Sequence, residues 1–227
     1  PKQEKPTSNA ALPKPSKPEH QQWEGRIDAD PEVHQAIHDA TGKSIYDFVS
    51  ASGGDQIPAK EFKDLRVRTG IEFHENGKPK LVVVSIGDRG GKVDMERHFN
   101  FDKSGKPDHI YNALFFIDKS KQGTGLGTKI FKSQTEEASK MGFKSIVTNA
   151  SRGQTTNGYY TWPRLGYDGK VNVNGKPTRL SDLMKTKEGR EYWKTNGQSM
   201  KMEFDLSAKS RSRKILNAYT RERFGSK

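Results

Sequence analysis

The stretch Gln122-Gly123-Thr124-Gly125-Leu126-Gly127-Thr128 decides the reading of this chain. It stands between a β-patterned run, His109 to Ile117, and an amphipathic run, Gly127 to Met141. Glycines at alternate positions let the backbone turn tightly with its N–H groups exposed, and a helix N-terminus adds partial positive charge. Such a loop suits a diphosphate. It is not a Walker A loop, because the order Gly127-Thr128-Lys129 lacks Gly-Lys-Ser/Thr. Nor is it a dinucleotide-binding or kinase loop, because Gly123, Gly125 and Gly127 do not follow the spacing G-x-G-x-x-G.

Upstream of the loop the pattern is that of strands. Arg66 to His74 alternates, with Val67, Ile71 and Phe73 apolar, and Glu75-Asn76-Gly77-Lys78 is a hairpin turn. Leu81 to Ile86 is the strongest β run of the chain. Asp88 to Gly91 turns it back into Val93 to Phe101, where Val93, Met95, Arg97, Phe99 and Phe101 alternate. Asp102 to Pro107 turns again, into His109 to Ile117. Four strands joined by short turns imply an antiparallel meander and exclude a wholly parallel doubly wound sheet.

Downstream the period becomes helical. Ile130, Phe131, Ala138 and Met141 share a face that Gln134 interrupts, and Gly142 closes the helix. Phe143 to Asn149 is a short strand, expected parallel to the one before the helix. An aromatic helix from Asn157 to Trp162 follows, then Leu165 to Val173 with an Asn174-Gly175 turn. A helix from Ser181 to Thr195, a last strand from Met200 to Leu206 and a basic helix from Ala208 complete the chain.

Gln122, Gly125 and Gly127 fit the pattern Gln/Arg-x-x-Gly-x-Gly/Ala. A loop of that pattern, placed after the fourth strand of a meander, resembles that of the GCN5-related N-acetyltransferase (GNAT) family. Asn149, the segment Asn157-Gly158-Tyr159-Tyr160 leading to Gly166-Tyr167, and the strand Met200 to Leu206 extend the resemblance over roughly residues 66–206. The fold it implies is α+β, a mixed, mostly antiparallel sheet flanked by helices. The activity it implies is acyl transfer from acetyl-CoA, or another acyl-CoA, to an amine.

The resemblance also implies roles. Phe116, Ile117, Gln122, Gly123, Thr124, Gly125, Leu126, Gly127, Thr128 and Asn149 would hold the cofactor. The backbone N–H groups of His109–Ile117 would bind the thioester carbonyl and pantetheine arm. Tyr160, and after it Tyr159, would protonate the leaving thiolate. Glu96, His98 and His109 are candidate bases, and no spacing singles one out. Three departures stand against the pattern, one being that the segment from Asn157 to Gly166 is shorter than usual. Pro163 is expected to interrupt the aromatic helix, and about thirty residues separate Gly166 from the last strand, where a minimal member has fewer.

Around this domain the composition shifts. Residues 1–25 form a Pro/Lys-rich lead-in expected to be disordered, with five of the eleven prolines in its first eighteen positions. Residues 26–65 read as a helical entry: Asp30-Pro31-Glu32 starts a helix whose Val33, Ile37 and Ala40 share a face, and Ser44 to Val49 makes a second. Residues 207–227 carry seven Lys or Arg against one Glu, a net +6, half of the chain's +12. That charge supports an alternative, a non-catalytic, basic structural or nucleic-acid-binding protein. With the segment Trp162 to Tyr167 it also resembles acetyltransferase-like domains of phage head proteins and delivered effectors, which implies a phage particle component or delivered effector. Lys209, Arg211, Arg213, Lys214, Arg221 and Arg223 would then contact phosphates. In the plainer reading this helix is a solvated face with Ile215, Leu216 and Tyr219 buried.

The 227 residues include no cysteine, which excludes a disulfide scaffold, thiolate metal sites and a cysteine nucleophile. His34 and His38 lie at i and i+4, but no third ligand is placed by the sequence, so no metal is expected. No apolar run approaches a membrane span. The expected location is cytoplasmic, or for the alternative virion-associated or delivered into a host cell. A chain opening on Pro1 has lost an initiator Met or been cut from a longer polypeptide.

Overall fold

The computed structural model describes residues 18–225 except 29, 59, 63 and 155. The expected lead-in through residue 17 lies outside the described residues. It does not extend to residue 25. Pro18–Trp23 forms a 3-10 helix that buries Trp23 completely, its indole N–H donating to Asp55 Oδ1 at 3.2 Å.

The entry segment is built as its caps dictate. A two-residue strand, β1 (Ile27–Asp28), precedes α1 (Pro31–Thr41), which Asp30 caps by accepting from the Glu32 N–H; Gly42 closes α1 in the left-handed conformation. In α2 (Ile45–Ala51) Ser44 and Asp47 form a capping box. These elements share one apolar core with the sheet. The Phe48 ring meets Phe99 edge-on at 5.0 Å, and a side chain at Gly53 or Gly54 would collide with Ile130 or Ile86.

The meander forms as expected: β2 (Leu65–Phe73), β3 (Pro79–Asp88), β4 (Val93–Phe101) and β5 (Pro107–Ile117) pair antiparallel in succession. Alternation sends Val82, Val84 and Ile86 of β3, and Val93, Met95, Arg97 and Phe99 of β4, into the core. Burying an apolar side chain of this size contributes about 1.5–3 kcal/mol. The other face, with Val83, Ser85, Glu96, His98 and Tyr111, is half-buried, and Leu114 on it is exposed.

A crossover then follows: α3 (Leu126–Lys140) returns the chain to β6 (Ser145–Ala150), which runs parallel to β5. After α4 (Gly158–Arg164) come the hairpin β7 (Lys170–Val173) and β8 (Lys176–Arg179), α5 (Leu180–Leu183), α6 (Lys187–Asn196), β9 (Met200–Asp205) and α7 (Arg211–Phe224). Among the described residues, the main sheet has seven strands in the order β1-β2-β3-β4-β5-β6-β9. It is mixed and mostly antiparallel, with helices against it, the α+β class expected from the sequence.

Three local expectations change. Pro163 does not end the aromatic helix, which runs on to Arg164. A proline removes the hydrogen bond to the carbonyl four residues back, here Tyr159. That carbonyl accepts instead from the Trp193 indole at 2.9 Å. The helix expected over 181–195 is two helices, because Thr186 caps α6 by accepting from the Gly189 N–H. Of Leu165 to Val173, only the last four residues are strand; Leu165 and Tyr167 are buried as loop, and Asp168 bridges to Glu203.

Candidate active site

β5 and β6 pair only from His109↔Ser145 to Asn112↔Thr148. Beyond that point they separate. The register of β5 on β4 jumps there too: Arg97 faces Asn112 but Glu96 faces Leu114, so Ala113 is an extra residue, a bulge. Past the bulge, the β5 edge that would have met β6 faces a cleft of about 400 Å³. Phe115 and Trp162, 5.7 Å apart, wall its inner side.

A buried polar cluster holds the point of divergence. Asn112 and Gln134 exchange amide hydrogen bonds of 3.1 and 2.8 Å, and Asn112 Nδ2 also donates to Tyr167 Oη at 3.1 Å. Thr148 Oγ1 donates to the Asn112 carbonyl at 3.1 Å. Gln134, the break in the α3 stripe, is thus a fully buried partner of Asn112 rather than a solvent-facing interruption. Burial pushes the Tyr167 phenol above its ordinary range, so it stays neutral.

The glycine loop closes one end of the cleft. Asp118 caps a short 3-10 turn, Lys119–Lys121, and Gln122 Nε2 donates back to the Ile117 carbonyl at 2.8 Å. Gly123 and Gly125 have φ of 76° and 88°, the left-handed region that favours glycine. Gly127 does not need it; a Cβ there would sit 3.4 Å from Ile117. Among the described residues, the N–H groups of Gly123, Thr124, Gly125, Gly127 and Thr128 have no protein acceptor, and they lie in or around the first turn of α3.

The structure brings Phe116, Ile117, Gln122, Gly123, Gly125, Leu126, Gly127, Thr128 and Asn149 to the cleft. Thr124 is not part of its wall, its hydroxyl donating to the Lys121 carbonyl at 2.8 Å. Tyr159 and Tyr160 are not in the wall either. Gly158, Thr161, Trp162 and Leu165, at i, i+3, i+4 and i+7, share the face of α4 turned to the cleft. The Tyr159 hydroxyl instead donates to the Lys194 carbonyl at 2.9 Å, and Arg164 stacks on the Tyr160 ring at 5.8 Å.

The candidate bases separate. Glu96 and His98 form a pair at 2.7 Å on the half-exposed sheet face, with Ser85 donating to Glu96 at 3.2 Å. His98 meets the Tyr111 ring edge-on at 5.8 Å, and Asn149, in the cleft wall, donates to Tyr111 Oη at 3.0 Å. A line of contacts therefore joins the Glu96–His98 pair to the cleft. His109 lies at the other end of β5, in a second hollow of about 350 Å³ with Lys144, Lys201 and Glu203. Its Nδ1 is 3.0 Å from Asp108, whose carboxyl is held below the usual range by the His109 and Lys144 hydrogen bonds.

Two residues of the basic helix also line the cleft, Tyr219 and Arg223. Arg223 Nη2 donates to the Gly123 carbonyl at 2.7 Å and Nη1 to Tyr219 Oη at 3.0 Å. Tyr219 was legible only as a buried stripe, and nothing in the local pattern of α7 places its end against a loop a hundred residues earlier. Of the other basic residues, Arg211 pairs with Asp182 at 3.2 Å, and Arg213 donates to the Leu206 and Thr135 carbonyls. Lys209, Lys214 and Arg221 are exposed. Four of the six cations expected to meet nucleic acid thus have intramolecular partners, Arg221 donating to the Asn217 carbonyl at 3.4 Å.

His34 is buried while the His38 side chain is 58% exposed, so the two do not face one site. Burial lowers the His34 pKa. Among the described residues, no group of three potential metal ligands occurs and no helix is long and apolar enough to cross a membrane.

No family model matches the chain, and no curated protein matches it. Among solved structures, one described as "putative acetyltransferase from Agrobacterium tumefaciens" aligns with 77% of this chain and 92% of its own length. The identity is 15% and the TM-score 0.27. A likeness that slight carries no argument, and the functional reading rests on the cleft.

Proposed function

We propose that the chain is an acyl-CoA-dependent N-acyltransferase of the GNAT type, moving an acetyl group from acetyl-CoA to an amine. The observation that carries this reading is the divergence of β5 from β6 into a cleft closed by a loop of free N–H groups. An extended, amide-bearing ligand can pair with the free edge of β5 as a further strand would. A diphosphate can be received by the N–H groups of Gly123, Gly125, Gly127 and Thr128 at the positive end of α3. Arg223 adds a guanidinium whose partners here are both neutral. The residues present therefore fit acyl-CoA, and the Phe224 ring lies 2.6 Å from where a Gly125 Cβ would be. The end of α7 would therefore lie beside a diphosphate held on Gly125.

An acyl-CoA supplies the activated thioester. This chain's own groups would manage the protons. The Glu96–His98 pair would take one from the incoming ammonium through water, because the His98–Tyr111 ring contact and the Asn149 amide cannot pass a proton. Tyr219 lines the cleft with its hydroxyl on Arg223, at the glycine-loop end where a diphosphate would lie, so it is not assigned to the departing sulfur. Tyr160, the acid implied by the resemblance, would need α4 to turn.

Isothermal titration of the folded chain with acetyl-CoA, and with CoA for comparison, tests the reading. Micromolar binding that Gly125→Asp abolishes without loss of fold is the expected result. No binding by the folded wild-type chain would overturn it.

A further inference from the structure

Arg97 occupies a position that the alternation of β4 assigns to an apolar residue. Its neighbours on that face are Met95 and Phe99, and it is 1% exposed. Among the described residues no carboxylate pairs with it. Its Nη1 donates to the carbonyls of Leu114 and Glu96, its Nη2 lies 3.7 Å from the Met95 sulfur, and its Nε has no partner. The guanidinium carbon stands 5.1 Å from the centre of the Phe115 ring. Desolvating a cation costs several kcal/mol even after relaxation, and here two neutral carbonyls and a ring face are all that offset it. Burial accordingly lowers its pKa to about 10, still far enough above neutrality to keep the charge.

The location of that charge is informative. Leu114 follows the bulged Ala113, so its carbonyl is bonded by a side chain at the place where the β4–β5 register jumps. A trans peptide directs its C=O and N–H to opposite sides. The Leu114 carbonyl points to Arg97 on the β4 side, so the N–H of the same peptide, that of Phe115, points away from β4. On that side β5 has lost β6, and Phe115 lines the cleft. A cation bonded to a peptide oxygen draws electron density from the nitrogen and strengthens the N–H as a donor, and a low-dielectric setting enlarges the effect.

We propose that Arg97 is a positioning residue for acyl transfer: it holds the β5 bulge in place and polarises the Leu114–Phe115 peptide, making the Phe115 N–H a strong donor to the acyl carbonyl. This rests on the acyl-CoA reading of the cleft. The role goes beyond packing. An apolar side chain of similar length would fill the same space at lower desolvation cost but could neither anchor the bulge nor charge the donor.

The test is the carbonyl stretch of acetyl-CoA labelled with 13C at the thioester carbon, recorded by difference infrared spectroscopy free and bound to the full chain. Wild type should shift the band to lower frequency on binding. Arg97→Met should lose most of that shift, while Arg97→Lys, which keeps the charge but reaches one carbonyl, should keep part of it. CoA affinity, set by the glycine loop, should change less than threefold in both. A wild-type band that does not move on binding overturns the proposal even if Arg97→Met fails to fold, and an equal shift in a folded Arg97→Met overturns it too. Absence of any acetyl-CoA binding to wild type would instead remove the acyltransferase reading, and the Arg97 role with it. Bound acetyl-CoA with an unshifted band would remove the Arg97 role alone.

Discussion

β4 has a neighbour on each side along nearly its whole length, whereas β5 keeps its second neighbour only as far as Asn112. On β4 and β3 the core is made by alternation, and its apolar residues need nothing beyond one another. Where β5 leaves β6, backbone groups lose their partners and polar side chains enter the core: Asn112, Gln134, Thr148, and Arg97 from the neighbouring strand. A closed ladder can be completed by apolar packing alone. A ladder opened to admit a ligand needs internal polar groups that hold the opening, and of the four only Arg97 keeps a buried N–H, at Nε, without a partner.

The contrast can be broken by substitution. The largest effect is expected on the closed side. Phe99→Ala empties a fully buried site between Phe48 and Phe143 and should cost about 3–5 kcal/mol in denaturant unfolding. Acyl-CoA affinity of the protein that remains folded should be unchanged. A loss of affinity without loss of stability would show that the two regions are not separable. On the open side, Asn112→Leu leaves the Gln134 amide buried without its partner and should cost about 1–3 kcal/mol. The double variant Asn112→Leu/Gln134→Leu should recover part of that; no recovery would mean that the pair is not the unit that matters.

Smaller effects sharpen the picture of the loop. Gly123→Ala meets no atom within 4 Å, so it should show only the left-handed penalty of about 1–2 kcal/mol. Gly125→Ala carries the same penalty and must also displace Phe224. Its thermal midpoint should fall below that of Gly123→Ala; equal midpoints would place the end of α7 off the loop in solution.

The smallest effect depends on pH. Arg211 and Lys185 hold the Asp182 carboxyl down to about 2. A carboxyl depressed in the folded state adds stability that is complete above its unfolded pKa of about 4 and is lost as pH falls through its folded value. The stability gap between wild type and Arg211→Ala should therefore be constant above pH 4 and shrink toward pH 2. A gap independent of pH would remove the ion pair as the anchor of α7.

The meander, the parallel crossover and the glycine loop were legible in the sequence because each is a local pattern: period two in β2–β5, period near 3.6 in α3, glycines between them. The cap Asp30 was legible for the same reason. Legibility failed where a partner came from far along the chain. Pro163 reads as a stop, yet it lies inside α4, which ends at Arg164, and the Tyr159 carbonyl it leaves free is taken by Trp193. Gln134 reads as a flaw in a stripe until Asn112 is set opposite it. Tyr160 looked like the acid and Tyr219 like core, but the turn of α4 and the docking of α7 reverse which of them lines the cleft. By itself the sequence determined the meander, the strand–helix–strand crossover and the glycine loop between them, because backbone conformation and periodic burial depend on near neighbours. Only the tertiary structure decided which side chains share the cleft with that loop. Contacts such as Arg223 to Gly123 and Arg97 to Leu114 join residues 100 and 17 positions apart, and no local preference encodes them.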